Sequence, residues 1–242
     1  MGIDISFADY LLVSMGVAIG ALAQGVVGFG ANLLAVPVLA VVAPAALPGT
    51  MIMLPLPLQL SMIRHERRGI DWRDVGWSTL GRLPGIVVGA WIVSAVALDQ
   101  LSMLTGAVVL AGVTVSVVAT SVPFTPTSKL TAGFASGVMG TATSIGGPPL
   151  ALLYQHHDGK VLRPTLAACF LIGTGLSLPA LMLAGVMEWW HLRLAIALLP
   201  ALLLGLGLSR LLTRHLDGRW LRPVVLGLAS VAALAAIARG LG

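Results

Sequence analysis

The chain has 242 residues, of which 57% are hydrophobic and only 10% are charged, and its mean hydropathy is +0.98. A soluble domain of this size cannot bury so much apolar surface, so the composition excludes that class and indicates a helical membrane protein. The net charge of +5 does not call for a nucleic-acid partner, because cytoplasmic loops of membrane proteins are normally basic.

Ten apolar segments follow one another along the chain. Residues 1–10 contain no Lys or Arg, so we interpret the first segment as mature structure and not as a cleaved signal. The second segment of each half is too short to span a bilayer, so we expect it to form a broken or re-entrant element with the Gly-rich stretch before it. The predicted fold is an all-α polytopic membrane protein with about eight spans, in a range of about six to ten. The segments are 8–29, 31–43, 47–63, 75–97, 101–120, 129–145, 148–155, 165–184, 191–209 and 220–238.

The two halves of the chain repeat one Gly-rich pattern. Such internal repeats of interrupted hydrophobic segments are typical of secondary transporters. We therefore predict two transmembrane repeats, 1–123 and 124–242, joined by a connector that contains Pro123 and Pro126. The repeated residues, each 117 positions apart, are Gly16 and Gly133, Gly20 and Gly137, Gly30 and Gly147, and Leu33 and Leu150.

Charged loops predict that the repeats are inverted relative to each other. The loop near residue 65 is rich in Arg, whereas the equivalent loop of the second half contains only Glu188. At the next turn the pattern is reversed, because Asp99 is opposed by several Arg residues in the second half. The positive-inside rule then also places Lys129, Lys160 and Arg163 in the cytoplasm, and it places both termini outside if each short segment returns to the face it started from. The Arg residues are Arg64, Arg67, Arg68 and Arg73 in the first half and Arg210, Arg214, Arg219 and Arg222 in the second.

The membrane interior is predicted to lack carboxylates, because all nine acidic residues fall in loops or at the ends of segments. A cationic substrate or a carboxylate proton relay is therefore disfavoured. The sequence also has no metal-ligand spacing, no nucleophile with a nearby base and no phosphate-binding loop. His156 and His157 are interpreted as solvated loop residues. We predict no enzyme activity, no cofactor and no metal site.

Each Gly-rich motif starts with glycines four residues apart and then tightens into a helix-breaking pattern. The first glycines suit close helix packing, whereas Gly28-Phe29-Gly30 and Gly146-Gly147-Pro148 suit an unwound break. A helix that restarts after a break presents N–H groups and the positive end of its dipole, and without a carboxylate nearby an anion fits there. The polar neighbours could donate hydrogen bonds to sulfonate, sulfite or carboxylate oxygens, or they could serve only helix packing. The candidate binding residues are Gln24, Gly28, Gly30, Asn32, Thr141, Thr143, Ser144, Gly146, Gly147 and Pro148.

Two further polar residues lie inside predicted spans. Arg82 could complement an anion, or it could extend its side chain toward the lipid headgroups from about 13 Å inside the membrane. Gln59 needs a hydrogen-bond partner, which could be a neighbouring helix or a substrate. Both residues are added to the candidate substrate-binding set.

The motif residues resemble those of a known family. The first motif leads from Gly28-Phe29-Gly30 to Val36-Pro37-Val38-Leu39, and the second runs from Ser144 to Leu150 as Ser-Ile-Gly-Gly-Pro-Pro-Leu. In these features the chain resembles the TauE/SafE sulfite exporter family of membrane transporters over essentially its whole length. The resemblance implies a multi-pass carrier in the plasma (inner) membrane for sulfite, organosulfonates or related small anions. Ala31-Asn32 departs from the run of glycines that often follows the first break in the family.

The sequence thus predicts a carrier that moves a small anion through a site between the two breaks, by rocking of one half against the other. An anion channel of the same fold is the nearer alternative, and a non-transport intramembrane enzyme or an assembly factor is the more distant one. The expected partners are the anionic substrate and the lipid bilayer. The sequence leaves open the exact substrate, the direction of transport, a coupling ion (H+ or Na+) and the formation of a homodimer.

Overall fold

A computed structural model describes residues 6–27, 30–118, 122–155, 157–212 and 218–241. The described residues form helices joined by short turns, and no strand occurs among them, so the predicted all-α fold is confirmed for this part of the chain. Two single 3₁₀ turns occupy Pro44–Ala46 and Arg67–Gly69. The α-helices are α1 Phe7–Val27, α2 Ala31–Val42, α3 Gly49–Met53, α4 Leu56–Glu66, α5 Trp72–Ala95, α6 Leu98–Val118, α7 Pro126–Thr143, α8 Gly147–Leu153, α9 Gly159–Leu183, α10 Trp189–Leu212 and α11 Gly218–Leu241.

Six helices in the described ranges are long and apolar enough to cross a membrane, which supports a polytopic membrane protein. The short segments predicted to be broken or re-entrant correspond to α2, with 12 residues, and α8, with 7 residues. Helix α7 has 18 residues and carries the buried Lys129, so it is the least apolar of the long helices. The candidate spans are Phe7–Val26, Trp72–Ala95, Leu98–Val118, Gly159–Leu183, Trp189–Leu211 and Pro223–Leu241.

Helices α1 and α2 form a hairpin around the first break. Gly30 precedes α2 with a φ of 118°, a left-handed conformation that favours glycine. Gly16 lies beside Ala35, whereas Gly20, one turn further along α1, lies beside Ala31, so α2 runs back along α1. A Cβ atom on Gly20 would lie only 2.2 Å from the carbonyl oxygen of Ala31, which shows why this position needs a glycine.

Helices α7 and α8 form a second hairpin around the second break. The break contains Ser144, whose φ of 62° is left-handed, and Gly146, which precedes α8. The end of α8 returns toward the start of α7, because the rings of Tyr154 and Phe124 lie 5.3 Å apart in an edge-to-face arrangement. Each half of the chain therefore begins with a long helix, a break and a short helix that turns back.

Parallel helix pairs link the two halves. Along α5, Cβ atoms on Gly81 and Gly85 would lie 2.0 Å and 2.3 Å from the carbonyl oxygens of Leu130 and Phe134 in α7, so these helices run in the same direction. Helices α1 and α10 are also parallel. There the Tyr10 hydroxyl donates to the carbonyl oxygen of Ala197 at 2.7 Å, and further along, Gly205 lies against Ala18. Small residues let both pairs approach closely, and Gly133 and Gly137, for which the sequence predicted close packing, lie against α5.

Packing divides ten of the helices into two groups. The first helix group contains α1, α2, α6, α10 and α11, and the second helix group contains α4, α5, α7, α8 and α9. Each group takes helices from both halves of the chain. The halves are therefore interlocked, and the expected rocking of one half against the other does not fit this packing, because it would separate α1 from α10 and α5 from α7.

The starts of α5, α7 and α9 lie at one end of the bundle. This end is here called the basic end, because the turn with Arg67 and Arg68 lies there, beside the start of α9. Asp71, Thr125 and Asp158 cap these starts by accepting hydrogen bonds from backbone N–H groups. In addition, Asp74 in the first turn of α5 forms a buried ion pair with Lys129 in α7. Asp74 lies at a segment end, as predicted for the acidic residues, although it is enclosed by protein.

The direction of each helix can be described by whether it begins at the basic end or at the opposite end. Helix α9 begins there and α10 begins at the opposite end, so α1, which is parallel to α10, also begins at the opposite end. Helix α7, parallel to α5, begins at the basic end. The two hairpins therefore enter the bundle from opposite ends. Arg214, and the side chains of Arg219 and Arg222 on which the predicted charge pattern partly depends, lie outside the described structure.

Candidate anion site between the helix breaks

A cavity lies where the two breaks meet, between the first and the second helix group. Its volume, measured as the space open to the centres of water molecules, is about 60 Å³. This is several times the volume that one water needs, so the cavity can hold a small ion or a few waters. Its lining combines helix ends, three amides, two hydroxyls and one guanidinium. The lining residues are Gln24, Gly30, Asn32, Leu33, Ile52, Pro55, Gln59, Arg82, Gly140, Ser144, Ile145, Gly146, Gly147, Pro148, Phe170 and Thr174.

Side chains of the first hairpin hold the breaks together. Gln24 bridges its own break, because its Oε1 accepts a hydrogen bond from the N–H of Ala31 at 3.1 Å and so caps the start of α2. Asn32 donates through Nδ2 to the carbonyl oxygens of Met51 and Ser144, both at 2.8 Å. The Asn32 amide thus ties α2 to α3 and to the second break.

The second break is fixed by hydroxyl groups. Ser144 donates through Oγ to the carbonyl oxygen of Pro48 at 3.0 Å, and Ser136 donates to the carbonyl oxygen of Gly146 at 2.7 Å. The first bond ties the break to the start of α3, and the second ties the start of α8 back to α7. The left-handed backbone of Ser144 is therefore held on both of its sides, by its own hydroxyl and by Asn32.

Arg82 is the cationic group of the cavity. Only 4% of the residue is exposed, and the side chain donates through Nη1 to the carbonyl oxygen of Cys169 at 3.4 Å. The Nε of Arg82 is buried without a hydrogen-bond partner, and no ion pair among the described residues involves this guanidinium. Burying a charge without a counter-charge is costly, so an anion in the cavity would relieve a real deficit. The alternative in which the side chain extends toward lipid headgroups is not what the structure shows.

Two glycines make room for the Arg82 side chain. A Cβ atom on Gly173 in α9 would lie 2.1 Å from Cζ of Arg82, and one on Gly140 in α7 would lie 3.0 Å from Nη2. The guanidinium therefore packs flat against bare backbone between two helices. This close packing fixes the position of the charge inside the second helix group.

Gln59 is the second polar side chain with an unsatisfied atom. The residue lies in the second turn of α4, after Pro55, and is 4% exposed. Its Oε1 is buried and has no hydrogen-bond partner among the described atoms. Gln59 thus brings an unused acceptor to the cavity wall, whereas Arg82 brings an unused donor.

The cavity brings together most of the residues predicted from the sequence. Thr141 and Thr143 do not line it, since Thr141 shares a hydrogen bond of 2.8 Å with Ser177 and Thr143 donates to the carbonyl oxygen of Met139. Both fit the packing interpretation. Gly28 lies outside the described residues. The predicted residues that line the cavity are Gln24, Gly30, Asn32, Gln59, Arg82, Ser144, Gly146, Gly147 and Pro148.

Sequence reasoning missed the contribution of α9. Thr174 and Phe170 line the cavity, and Gly173 supports Arg82 from the same helix. The available signal was the Gly173-Thr174-Gly175 sequence, where two glycines flank a hydroxyl in the middle of an apolar span.

The chemistry of the cavity suits the binding of an anion. A cation surrounded by amides, hydroxyls and helix ends can attract and orient an anion. No group of three or more metal-ligating side chains occurs within the described ranges.

The comparisons with known proteins agree with the motif resemblance. A family model described as "Sulfite exporter TauE/SafE" matches residues 12–236, which is nearly the whole chain. No curated protein and no solved structure matches the chain.

Proposed function

The chain belongs to the sulfite exporter TauE/SafE family, and on that premise we propose that it is a secondary carrier for a small anion. The proposed substrates are sulfite, an organosulfonate or a related sulfur oxyanion. The proposed location is the plasma (inner) membrane, since six candidate spans fit a multi-pass membrane protein. The proposed binding site is the cavity between the breaks.

The buried charge of Arg82 is the observation that carries the proposal. Arg82 lines a cavity to which both hairpins contribute, and no ion pair among the described residues neutralises its guanidinium. Two oxygens of a sulfur oxyanion can accept hydrogen bonds from the paired N–H groups of a guanidinium. Asn32, whose two amide hydrogens already donate to the carbonyl oxygens of Met51 and Ser144, would shape the cavity for anions of small size.

We further propose two inverted repeats, 1–123 and 124–242. Supporting this, the two hairpins enter the bundle from opposite ends, and α1 pairs with α10 as α7 pairs with α5. Alternating access would arise from movement of the first helix group against the second, because the cavity lies between them. The moving bodies would then each contain helices from both repeats.

Anion binding by purified protein tests the proposal. The panel would contain sulfite, sulfoacetate, thiosulfate, taurine, sulfate and a dicarboxylate, with thermal unfolding as the readout. A ligand at one hundred times its Kd stabilises the folded state by about 2.7 kcal/mol. We expect stabilisation by sulfur anions in the wild type and none in Arg82→Gln. Arg73→Gln, which alters an exposed Arg in the first turn of the same helix, should keep the stabilisation.

Three outcomes would separate the alternatives. Stabilisation by carboxylates alone would keep the anion site and remove the sulfur assignment. An equal response of wild type and Arg82→Gln would remove the cavity as the site. In proteoliposomes, flux that saturates and shows counterflow would identify a carrier, whereas flux without either would identify a channel.

A further inference from the structure

A charged cleft opens at the basic end of the bundle and leads toward the central cavity. Its inner part has a volume of about 310 Å³ and lies between α4 and α10, and its outer part has a volume of about 680 Å³ and lies over the end of α4 and the start of α9. His65, Glu66 and Arg163 line both parts, so the two form one continuous basic cleft.

The inner part of the basic cleft ends beside the central cavity. It is lined by Gly25 and Met62, which follow Gln24 by one residue and Gln59 by three residues, and both glutamines line the central cavity. The gap there is narrow, because a Cβ atom on Gly25 would lie 2.1 Å from Oγ of Ser209. The cleft and the central cavity are thus lined by neighbouring residues of α1 and of α4.

The cleft also lies on the boundary between the two helix groups. Helix α10 belongs to the first group and α4 to the second, and Arg210 donates through Nη2 to Oγ of Ser61 at 2.5 Å across this boundary. A movement of one group against the other would change the width at this point. Such a movement would therefore open a pathway toward the central cavity at this location.

The outer part of the basic cleft is lined mainly by positively charged side chains. One carboxylate lines it, that of Glu66, and it already accepts a bond from Nε of Arg163 at 3.3 Å. The positive-inside rule accounts for basic residues at this end, but not for their collection from both halves of the chain into one inward-leading concavity. Arg73 lies at the same end, exposed and outside the cleft. The cationic residues that line the outer part are Arg64, Arg67, Arg68, Lys160 and Arg163.

We propose that the basic cleft is the cytoplasmic mouth of the transport pathway and binds oxyanions before they reach Arg82. This inference rests on the proposed function. A concave surface with low-dielectric walls and one sign of charge focuses the electric field and raises the local anion concentration by a factor of about 10 or more. Several arginines in the cleft carry no carboxylate partner among the described residues, which leaves them able to pair with a passing anion.

Uptake of radiolabelled sulfite by membrane vesicles tests the proposed mouth. Inside-out vesicles present the basic end to the medium, and right-side-out vesicles present the opposite end. The variants are Arg67→Gln/Arg68→Gln, the charge-preserving Arg67→Lys/Arg68→Lys, and Arg73→Gln as the matched control. Each is measured at about 0.01 M and about 0.15 M salt, between which the Debye length falls from about 30 Å to about 8 Å.

We expect the Gln double variant to raise KM about tenfold at low salt, in inside-out vesicles only, with kcat unchanged. The Lys double variant and Arg73→Gln should keep the KM of the wild type. At the higher salt concentration the difference between the Gln double variant and the wild type should shrink, because screening removes the field of the cleft.

Failure of the inference and failure of the proposed function would look different. Wild-type flux with a KM that the Gln double variant leaves unchanged, or changes equally from both faces, would overturn the mouth and leave the carrier intact. A change of the same size in Arg73→Gln would also overturn it, because net charge alone would then explain the effect. Absence of wild-type flux for every anion of the panel would instead overturn the proposed function.

Discussion

Gly173→Ala should weaken anion binding without unfolding the protein. The new Cβ atom would lie 2.1 Å from Cζ, 2.3 Å from Nε and 2.4 Å from Nη1 of Arg82. Ordinary contacts between such atoms are near 3.5 Å, so the guanidinium must move by roughly 1 Å. Helix α9 carries other buried residues on either side of this position, so the flexible Arg82 side chain is the group that yields.

Two effects set the magnitude. A displaced guanidinium loses a charge-assisted hydrogen bond to the anion, worth about 1.5 to 3 kcal/mol, which corresponds to an increase in Kd of about 10- to 100-fold. Overpacking lowers the free energy of unfolding by about 1 to 3 kcal/mol, but replacing a helical glycine by alanine returns about 1 kcal/mol. The net loss of stability should therefore stay near 1 kcal/mol.

The assay compares Gly173→Ala with Gly175→Ala on the same helix. A Cβ atom on Gly175 would meet no heavy atom within 4 Å, so this variant changes helix propensity alone. We measure sulfite affinity from thermal shift titrations and initial flux in proteoliposomes. If both variants bind sulfite as the wild type does, Arg82 does not hold the anion and the reasoning from its close packing fails.

Three further predictions concern the framework of the site. Gly81→Ala should destabilise the protein and lower the yield of folded protein in detergent, because its Cβ atom would lie 2.0 Å from a backbone oxygen of α7, whereas Gly76→Ala should be neutral or stabilising in the same thermal scan. Asp74→Asn should lower the free energy of unfolding by about 3 to 5 kcal/mol, since it leaves Lys129 buried without its counter-charge. The double variant Asp74→Asn/Lys129→Met should recover part of this loss. Equal stability of the single and double variants would contradict the prediction. Gly30→Leu should abolish flux while membrane insertion is retained, because φ at this position is 118°, and normal uptake by this variant would remove the first break from the site.

The sequence was sufficient to predict the helical class, the two breaks and most of the cavity lining. These features depend on local patterns: glycine spacing, proline positions and the length of apolar runs determine where a helix can continue. Gly30 and Gly146 could be assigned to breaks because the closely spaced glycines at the first and the Gly-Gly-Pro sequence at the second disfavour a continuous helix. The family resemblance stated from these motifs is confirmed by the family model. The division into two repeats at residue 123 stays a prediction.

The sequence could not show which polar residues face the cavity. Thr141 and Thr143 lie within the second motif, yet they face away from the cavity. Thr141 forms a hydrogen bond with Ser177 in α9, and Thr143 donates to the carbonyl oxygen of Met139 in its own helix. Arg82 had two equal interpretations until its neighbours were known, and the deciding neighbour, Gly173, is remote in sequence. The tertiary contacts that distinguish these cases leave no periodic signal. The interlocking of the halves was also not apparent from the repeat.

The interlocked helix pairs constrain how the protein can be made. Helix α1 leaves the ribosome long before α10, and α5 leaves before α7, so each waits for its partner while synthesis continues. Until the second half arrives, Asn32 lacks the Ser144 carbonyl it binds in the finished bundle. A nascent first half would therefore sit in the bilayer with unsatisfied polar groups, dependent on lipid, on the insertion machinery or on a chaperone for protection. The step that commits the chain to its native form would therefore be synthesis of the second half, which supplies the partners of α1 and α5, and not insertion of the first half.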